Sequence, residues 1–242
     1  MNGIDYTVAN HLSKSAELIK TLKSYETEDI SKLMGLSSNL AFLNFERYQS
    51  WKKPTKPSVD ARQAVFAFQG DVYQGLEAAT MKKGDLKFAQ KHLRILSGLY
   101  GVLKPLDLMA PYRLEMGTKL ATKKHDDLYG FWKDTLTADI NTQLAEQKDS
   151  TLINLASNEY FNALNKKDIA GDIVSPVFKD FKNGDYKIIS FFAKKARGMM
   201  ARYIIDNKVT NTDGLATFNY GGYKFNAKLS QDNAPTFTRK TS

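Results

Sequence analysis

Two glycines follow a basic segment in residues 90–117, at a spacing that could build a site for phosphate or another anion. Gly98 and Gly101 have no Cβ and can adopt positive φ, so neighbouring amide N–H groups can approach a ligand closely. Tyr100 lies between them and is predicted to face the ligand. A tight turn packed into the core is the alternative, because glycine turns after helices are common. The cations of this segment are Lys91, Arg94, Lys104 and Arg113.

A second group of cations lies in the first part of a predicted helix over residues 193–206. Free N–H groups and the macrodipole favour anions at a helix N-terminus, where each cation costs about 0.3–1 kcal/mol. The pattern therefore indicates either an anionic ligand such as phosphate or acidic neighbours supplied by the fold. The cations are Lys194, Lys195, Arg197 and Arg202, and the acidic neighbours that could pair with them are Asp71, Glu115 and Glu159.

Three residues are candidates for catalytic chemistry: Asp71, Glu159 and Lys194. Asp71 lies between two glycines, where it could act as an acid or base or could only cap a turn. Glu159 follows a predicted strand over residues 152–156, at the sheet edge where open α/β folds bind ligands. A helix capped by Ser157 or Asn158 is the alternative there. Lys194 could serve as an amine nucleophile.

The sequence contains no motif for a metal or cofactor site. The three histidines, His11, His92 and His125, are far apart, and none belongs to a Glu-x-x-His or His-Glu-x-x-His pattern. The chain has no cysteine, which excludes disulfides, thiolate metal sites, iron–sulfur clusters and thiol-based peroxide sensing. We expect neither a metal site nor a cofactor.

The positive charge is concentrated in two segments. The net charge is +9; residues 81–124 hold 10 Lys/Arg against 3 Asp/Glu, and residues 179–242 hold 12 against 5. Each segment therefore carries +7, and the other 134 residues sum to −5. If the two segments meet in space, they form a basic surface that can bind a polyanion. Among the polyanions of the cytoplasm, nucleic acid is the favoured candidate. A basic surface that serves only solubility is the alternative.

The hydrophobic pattern predicts an α+β fold in a single compact domain over residues 1–242, with a mixed central sheet flanked by helices. Residues 1–57 have helical periodicity, and residues 58–242 predict a mixed α/β part. Residues 188–192 are almost all apolar and predict a strand buried on both faces. A basic-backed helix before the glycine turn is indicated by Leu86, Ala89, Leu93 and Leu96, which share one helical face.

No stretch is long and apolar enough for a membrane span, and the N-terminus lacks the pattern of a secretory signal. We therefore expect a cytoplasmic monomer that does not bind membranes.

Four blocks of sequence point to a family. They read FQGDVYQGL, LSGLYGVLKPLDLMAPYRLEMG, NLASNEYF and KIISFFAKKARGMMARYIIDN, and together they span most of the chain. The chain resembles the YaaA peroxide-stress family, also called UPF0246. The resemblance implies a bacterial protein induced by hydrogen peroxide that limits free intracellular iron and oxidative DNA damage. It also implies a DNA-binding helix-hairpin-helix element in a positively charged cleft, and no settled enzymatic reaction.

The sequence departs from the family in two places. Family chains open with a short apolar strand and a Ser-Pro-Ala-Lys-Thr-Leu-like motif, whereas this sequence starts MNGIDYTVANHL. Either the start is truncated or this member lacks one edge of its sheet. A helix-hairpin-helix turn also has one residue between its glycines, whereas Leu99 and Tyr100 separate Gly98 from Gly101 here.

The sequence favours a stress protein that binds DNA through its phosphate backbone, selecting DNA structure more than sequence. In this hypothesis the glycine turn, Lys104, Arg113 and the helix from Lys194 form one cleft. An enzyme acting on nucleic acid or a phosphorylated substrate, with Asp71, Glu159 or Lys194 as catalytic groups, is one alternative. Direct sequestration of iron by carboxylates is another.

Overall fold

The computed structural model describes residues 5–240, which contain nine α-helices and eleven β-strands. The helices are α1 (Leu12–Leu22), α2 (Thr27–Met34), α3 (Ser38–Ser50), α4 (Ala64–Ala67), α5 (Asp71–Leu76), α6 (Lys83–His92), α7 (Leu128–Ala145), α8 (Asn158–Phe161) and α9 (Ser190–Asp206). The strands are β1 (Thr7–Val8), β2 (Arg62–Gln63), β3 (Ile95–Ser97), β4 (Gly101–Leu103), β5 (Asp107–Met109), β6 (Leu152–Ile153), β7 (Ile173–Val174), β8 (Val177–Lys182), β9 (Asp185–Lys187), β10 (Lys224–Phe225) and β11 (Thr236–Arg239).

The strands form several small sheets. The described residues contain a three-stranded sheet of order β1-β5-β2, a four-stranded sheet of order β10-β11-β8-β9, and the pairs β3-β4 and β6-β7. Both larger sheets mix parallel and antiparallel pairs. The predicted mixed α and β class is confirmed, with the strands divided among small sheets instead of collected in one central sheet.

The chain divides into two compact units, each assembled from separate stretches. Unit 1 comprises the described residues up to Ala67 together with Arg94–Asp139 and Ser157–Asp168. Unit 2 comprises Phe68–Leu93, Ile140–Ala156 and the described residues from Ile169 onward. Neither unit coincides with the predicted division at residue 57. That the whole chain acts as one domain stays a prediction.

Unit 1 begins as the periodicity predicts, with three helices. Helix α2 stops at Gly35, whose φ of 62° allows the left-handed conformation that ends a helix. Ser37 then occupies the N-cap position of α3. The short strand β1 was not predicted; it pairs in parallel with β5, and Thr7 Oγ1 donates to Asp107 Oδ1 at 2.5 Å. The N-terminal part of the chain is therefore helical apart from β1.

The predicted helix-hairpin-helix element is not confirmed at the glycine turn. Helix α6 ends at His92, so Leu96 lies in a strand and not on the predicted helical face. Strands β3 and β4 form an antiparallel hairpin with Ser97 opposite Gly101. The two glycines therefore flank a β-hairpin turn, which β-branched and apolar residues on both sides favour over a helix.

The turn is part of the core of unit 1. A Cβ on Gly98 would lie 2.2 Å from the carbonyl oxygen of Leu114, and one on Gly101 would lie 2.6 Å from the Trp132 ring. Tyr100 is fully buried, and its hydroxyl accepts hydrogen bonds from Trp51 Nε1 at 3.0 Å and from the Ala110 amide at 2.9 Å. The glycines are thus required for close packing, which was the alternative to an anion site.

Unit 2 is built on the four-stranded sheet, one face of which is covered by α9. Phe178 of β8 stacks on Phe237 of β11 at 5.6 Å between ring centroids, and both are buried. Small residues of α9 allow the helix to lie close to these rings. The buried residues of this core are Val174, Phe178, Ala193, Ala196, Met200, Tyr203, Leu215, Phe218, Tyr223 and Phe237.

Helices α5 and α9 cross in backbone contact. A Cβ on Gly75 would lie 2.1 Å from the Lys195 carbonyl oxygen, and a Cβ on Gly198 would lie 1.8 Å from the Val72 carbonyl oxygen. Only glycine fits at either position, because real side-chain carbons never approach a carbonyl oxygen so closely. The two sequence blocks that contain Gly75 and Gly198 are therefore linked by one physical contact.

The predicted strand over residues 188–192 is wrong. Strand β9 ends at Lys187, and α9 already begins at Ser190. Ile188 and Phe191 are 63% and 54% exposed, so the apolar run is not buried on both faces. Ile188 precedes the helix, and within α9 the helical geometry turns Phe191 away from the buried Ala193.

We expect Gly198→Ala to lower the free energy of unfolding by about 1–3 kcal/mol, because the added methyl group forces α5 and α9 apart. Urea denaturation measures this change. Gly84→Ala is the matched control, since Gly84 lies in α6 with no atom within 4 Å of its Cβ position. The control should be neutral or stabilising by up to about 1 kcal/mol. Equal denaturation midpoints for the two variants would contradict the close crossing.

We expect stability to fall in alkali, because burial raises the pKa of Tyr100 to about 12. An unfolded tyrosine ionises near pH 10, so above that pH only the unfolded chain releases this proton. The stabilisation is complete below about pH 10 and falls by roughly 1.4 kcal/mol per pH unit up to the folded pKa.

Urea titrations across the alkaline range test this against Tyr100→Phe. The variant should be less stable at neutral pH, because the Trp51 and Ala110 N–H groups lose their acceptor, at a cost of about 1–3 kcal/mol. Its stability should nevertheless depend less steeply on pH above 10. Parallel pH profiles for the two proteins would show that Tyr100 does not titrate abnormally.

Candidate functional site

The N-terminal half of α9 carries cations that form no ion pair with a carboxylate of residues 5–240. Its first turn has no acidic residue, and its N-cap residue, Ile189, makes no side-chain capping bond. Lys194 is exposed and Lys195 is half-buried. Among residues 5–240, neither lysine forms an ion pair with a carboxylate. The acidic neighbours that the sequence suggested for these lysines, Asp71, Glu115 and Glu159, therefore form no ion pair with them among the described residues.

Arg197 is the most unusual of these cations. Its side chain is half-buried, and burial lowers the pKa of its guanidinium group. The hydrogen bond it makes joins Nε to the Ala193 carbonyl oxygen within the same helix, at 3.4 Å. Within the described part of the chain it has no carboxylate partner. A partly buried charge without a counter-ion is costly, and an anionic ligand would remove that cost.

Arg202, in contrast, is fully engaged within unit 2. Its Nε donates to Asp206 Oδ1 at 2.8 Å, and its guanidinium also donates to Thr80 Oγ1 at 2.5 Å and to the Glu77 carbonyl oxygen at 3.1 Å. These bonds tie the end of α9 to the chain that follows α5. We therefore assign Arg202 a structural role, and its predicted phosphate contact stays a prediction.

Asp71 lies in the first turn of α5, the helix that crosses α9. Within the described residues it forms no ion pair with Lys194 or Lys195. Tyr73, two residues further along α5, stacks on Phe68 at 5.2 Å and 13°. Lys91, also in unit 2, is exposed in the last turn of α6, where a cation complements the helix dipole.

The other predicted site residues belong to unit 1. Arg113 pairs with Glu115 at 2.7 Å on the surface, where such a pair contributes little to stability. Lys104 is half-buried, and its amide donates to Asp107 Oδ2 at 2.7 Å. Arg94 is half-buried as well. The prediction that these residues and α9 line one cleft stays a prediction.

Two predictions at the glycine turn are wrong. Tyr100 does not face a ligand, because it is fully buried between Trp51 and Ala110. Gly98 and Gly101 are buried too, and the space in front of each is filled by protein atoms. The turn offers no open nest of amides, since the fold uses both glycines for packing.

Glu159 lies in the first turn of α8, as the capping alternative predicted. Ser157 caps this helix by accepting the Tyr160 amide at 3.4 Å. Glu159 Oε1 accepts the Gly117 amide at 2.9 Å, so the carboxylate joins α8 to the loop that contains Gly117, both within unit 1. Burial, with a smaller effect of the Glu159 charge, raises the pKa of Tyr160 to about 12. The hydrogen bond to Gly117 gives Glu159 a positioning role between α8 and the loop that contains Gly117.

Neither metal-binding clusters nor membrane spans are found in residues 5–240. No three His, Asp or Glu side chains there are grouped so that they could hold a metal ion. No helix in the described part of the chain has the length and apolar character needed to cross a bilayer.

The sequence interpretation missed an exposed row of basic and aromatic residues on the four-stranded sheet of unit 2. Lys179 and Phe181 of β8 point away from the core that contains Phe178 and Asp180. The signal was present in the alternation of Val-Phe-Lys-Asp-Phe-Lys over residues 177–182.

Comparison with known proteins identifies relatives over nearly the full length. A family model described as "Peroxide stress protein YaaA" matches residues 2–229. A UPF0246 protein of Teredinibacter turnerae is 52% identical over 234 residues, which cover 97% of this chain and 91% of that protein. One of Saccharophagus degradans is 52% identical over 240 residues, covering 99% and 93%. One of Shewanella oneidensis is 52% identical over 235 residues, covering 97% and 91%. A match of this extent shows that the chain belongs to the YaaA peroxide-stress family.

Proposed function

We propose that the protein acts in the cytoplasm during peroxide stress by binding DNA through its phosphate backbone. The observation that carries the proposal is Arg197, a half-buried cation with no carboxylate partner among the described residues. Lys194 and Lys195 lie beside it on α9, and they too lack carboxylate partners there. A phosphate group would supply the missing negative charge to all three.

The other contacts proposed for the DNA backbone are taken from the first basic segment of the sequence, residues 81–124. They are Lys91, Arg94, Lys104 and Arg113. Lys and Arg contacts to phosphate position a protein on DNA without reading its sequence. We therefore propose binding that depends on DNA structure more than on base sequence.

Protection from iron follows from the same chemistry. DNA carries a condensed layer of cations, and a protein that neutralises phosphates releases them. Iron(II) held at DNA phosphates would be among the released cations, so that its reaction with peroxide takes place away from the bases. We propose this displacement as the way in which the protein limits oxidative DNA damage without storing iron.

The enzymatic alternative receives less support from unit 2. An activated nucleophile needs a base within hydrogen-bond reach, and within the described residues Asp71 and Lys194 form no such bond or ion pair. Sequestration of iron by carboxylates likewise lacks a cluster of ligands in residues 5–240. Binding to DNA is therefore the function that we propose.

We expect DNA affinity to fall steeply with salt. If about five to seven phosphates are neutralised, log K should decrease with log salt with a slope of roughly −4.5 to −6. Fluorescence anisotropy with a labelled duplex at several salt concentrations measures the slope. Shuffled duplex sequences should give the same affinity within a few fold. An affinity that does not change with salt would reject backbone binding.

We expect Lys194→Ala/Lys195→Ala to reduce the magnitude of this slope by about 2, because two phosphate contacts are lost. Affinity at low salt should fall by about tenfold or more. Lys52→Ala/Lys53→Ala is the control, since it removes the same charge from exposed positions between α3 and β2. If the control weakens binding as much as the α9 variant, only net charge matters and the site on α9 is wrong.

We expect Arg197→Met to change DNA affinity and the free energy of unfolding independently. It should weaken DNA binding, yet leave the free energy of unfolding unchanged or raised by up to about 1 kcal/mol, because an uncompensated charge is removed. Arg202→Met is the matched control in the same helix. It should destabilise by about 1–3 kcal/mol, because Asp206 loses its partner, and should affect DNA binding less. The opposite ranking of the two variants would contradict the assigned roles.

A further inference from the structure

The four-stranded sheet of unit 2 has one face on the core and one face open. Phe178 and Phe237 lie side by side in the β8–β11 register, and both are buried against α9. Side chains alternate along a strand, so the residues next to them point to the opposite face. These are Lys179 in β8 and Thr238 in β11, and both remain partly exposed.

The open face carries lysines and aromatic rings in two adjacent rows. One row crosses three strands, because Lys179 is in register with Thr238 and Thr238 with Lys224. In the second row Phe181 is opposite Tyr186, with ring centroids 5.3 Å apart, and Lys240 Nζ lies 4.9 Å from the Phe181 centroid. Phe181 is still 36% exposed. We call Lys179, Phe181, Tyr186, Lys224, Thr238 and Lys240 the open sheet face.

The aspartates of these strands point away from the open sheet face. Asp180 is buried, and it accepts hydrogen bonds from Tyr223 at 2.7 Å and from Arg239 Nε at 2.7 Å. Asp185 precedes Tyr186 and therefore projects to the opposite side. The six residues of the open sheet face include three lysines and no acid, so the face is suited to an anionic partner.

We propose that the open sheet face binds single-stranded DNA, with bases on Phe181 and Tyr186 and phosphates on the three lysines. Successive bases of a single strand stack on exposed aromatic rings, and a basic surface holds the backbone. Neighbouring strands are about 4.8 Å apart, so Lys224 and Lys179 are separated by about 10 Å and can contact different phosphates. The choice of DNA over RNA rests on the proposed function. The location of the site and the preference for a single strand rest only on the residues of the open sheet face.

A duplex does not suit this face, because its bases are stacked inside and cannot reach the rings. Phosphate binding alone would also leave no role for the exposed aromatic residues. Aromatic and basic residues on an open sheet are a recurring arrangement for unpaired bases, since every base has a flat face that can stack.

The test is binding of a fluorescein-labelled oligothymidylate of about 12 nucleotides, within the size range of known single-strand sites. Phe181→Leu keeps an apolar side chain but removes the ring, and should weaken binding about 5- to 150-fold. Lys179→Gln/Lys224→Gln should weaken it about tenfold and flatten its salt dependence. Duplex binding should change less than twofold in both variants.

Matched controls are available in unit 1. Phe42→Leu replaces a ring that is 53% exposed on α3, and Lys20→Gln/Lys23→Gln removes two exposed lysines at α1. Both should leave oligothymidylate affinity unchanged. The proposal is overturned if the wild-type protein does not bind the single strand, if Phe42→Leu and Phe181→Leu behave alike, or if Phe181→Leu retains full affinity.

Further measurements distinguish DNA from RNA and from anionic lipid as the partner, and they cover the case in which Phe181→Leu does not fold. Tighter binding of oligouridylate than of oligothymidylate would overturn the assignment to DNA, and binding of phosphatidylglycerol vesicles that excludes the oligonucleotide would overturn nucleic acid as the partner. If Phe181→Leu fails to fold, the wild-type protein is cross-linked by ultraviolet light to a bromouracil-substituted strand. Adducts within residues 177–187 support the proposal, and adducts only elsewhere reject it.

The result is separable from the proposed function. Loss of duplex binding in Lys194→Ala/Lys195→Ala with oligothymidylate binding retained would support two independent surfaces. The wild-type protein could instead fail to bind duplex DNA and still bind the single strand in a way that depends on Phe181. This result would reject the function proposed for α9 and would support the single-strand site on the open sheet face.

Discussion

The backbone contact between α5 and α9 is the constraint on which unit 2 depends. Gly75 and Gly198 let two helices approach until carbonyl oxygens occupy the space of a Cβ. This contact holds the middle of α9, whose small residues then lie against the aromatic core of the sheet. The helix can present Lys194, Lys195 and Arg197 in fixed positions only because its other sides are held by α5 and by the sheet.

Charged groups in unit 2 fall into two kinds. Asp180 is buried, but Arg239 and Tyr223 satisfy both of its oxygens, and Arg239 also lies 4.4 Å from the Tyr223 ring centroid. Such a satisfied network joins β8 and β11 to the segment that follows α9, and it has no capacity left for a ligand. Arg197, by comparison, is half-buried and has no carboxylate partner among the described residues. The contrast, more than the net charge, separates residues that hold the fold from the residues that we propose as anion contacts.

Local sequence predicted local structure well where one residue type decides the conformation. Gly35 ends α2 because it adopts a φ of 62°, and the apolar spacing from Leu12 defined α1. The same reasoning failed over residues 188–192, because an apolar run has the same composition in a buried strand and at an exposed helix start. It failed also at Gly98 and Gly101, where a turn between two strands was interpreted as a turn between helices.

The sequence by itself determined the family, the two basic segments and the absence of cysteine chemistry, because these depend on residue identity alone. Only the tertiary structure decided what the glycines do and which cations have partners. Space in front of a glycine depends on what packs there, as Trp132 does at Gly101 and Val72 at Gly198. Pairing likewise depends on contacts between distant stretches, which is why Arg202 meets Thr80 while Arg197, in the same helix, meets no carboxylate among the described residues.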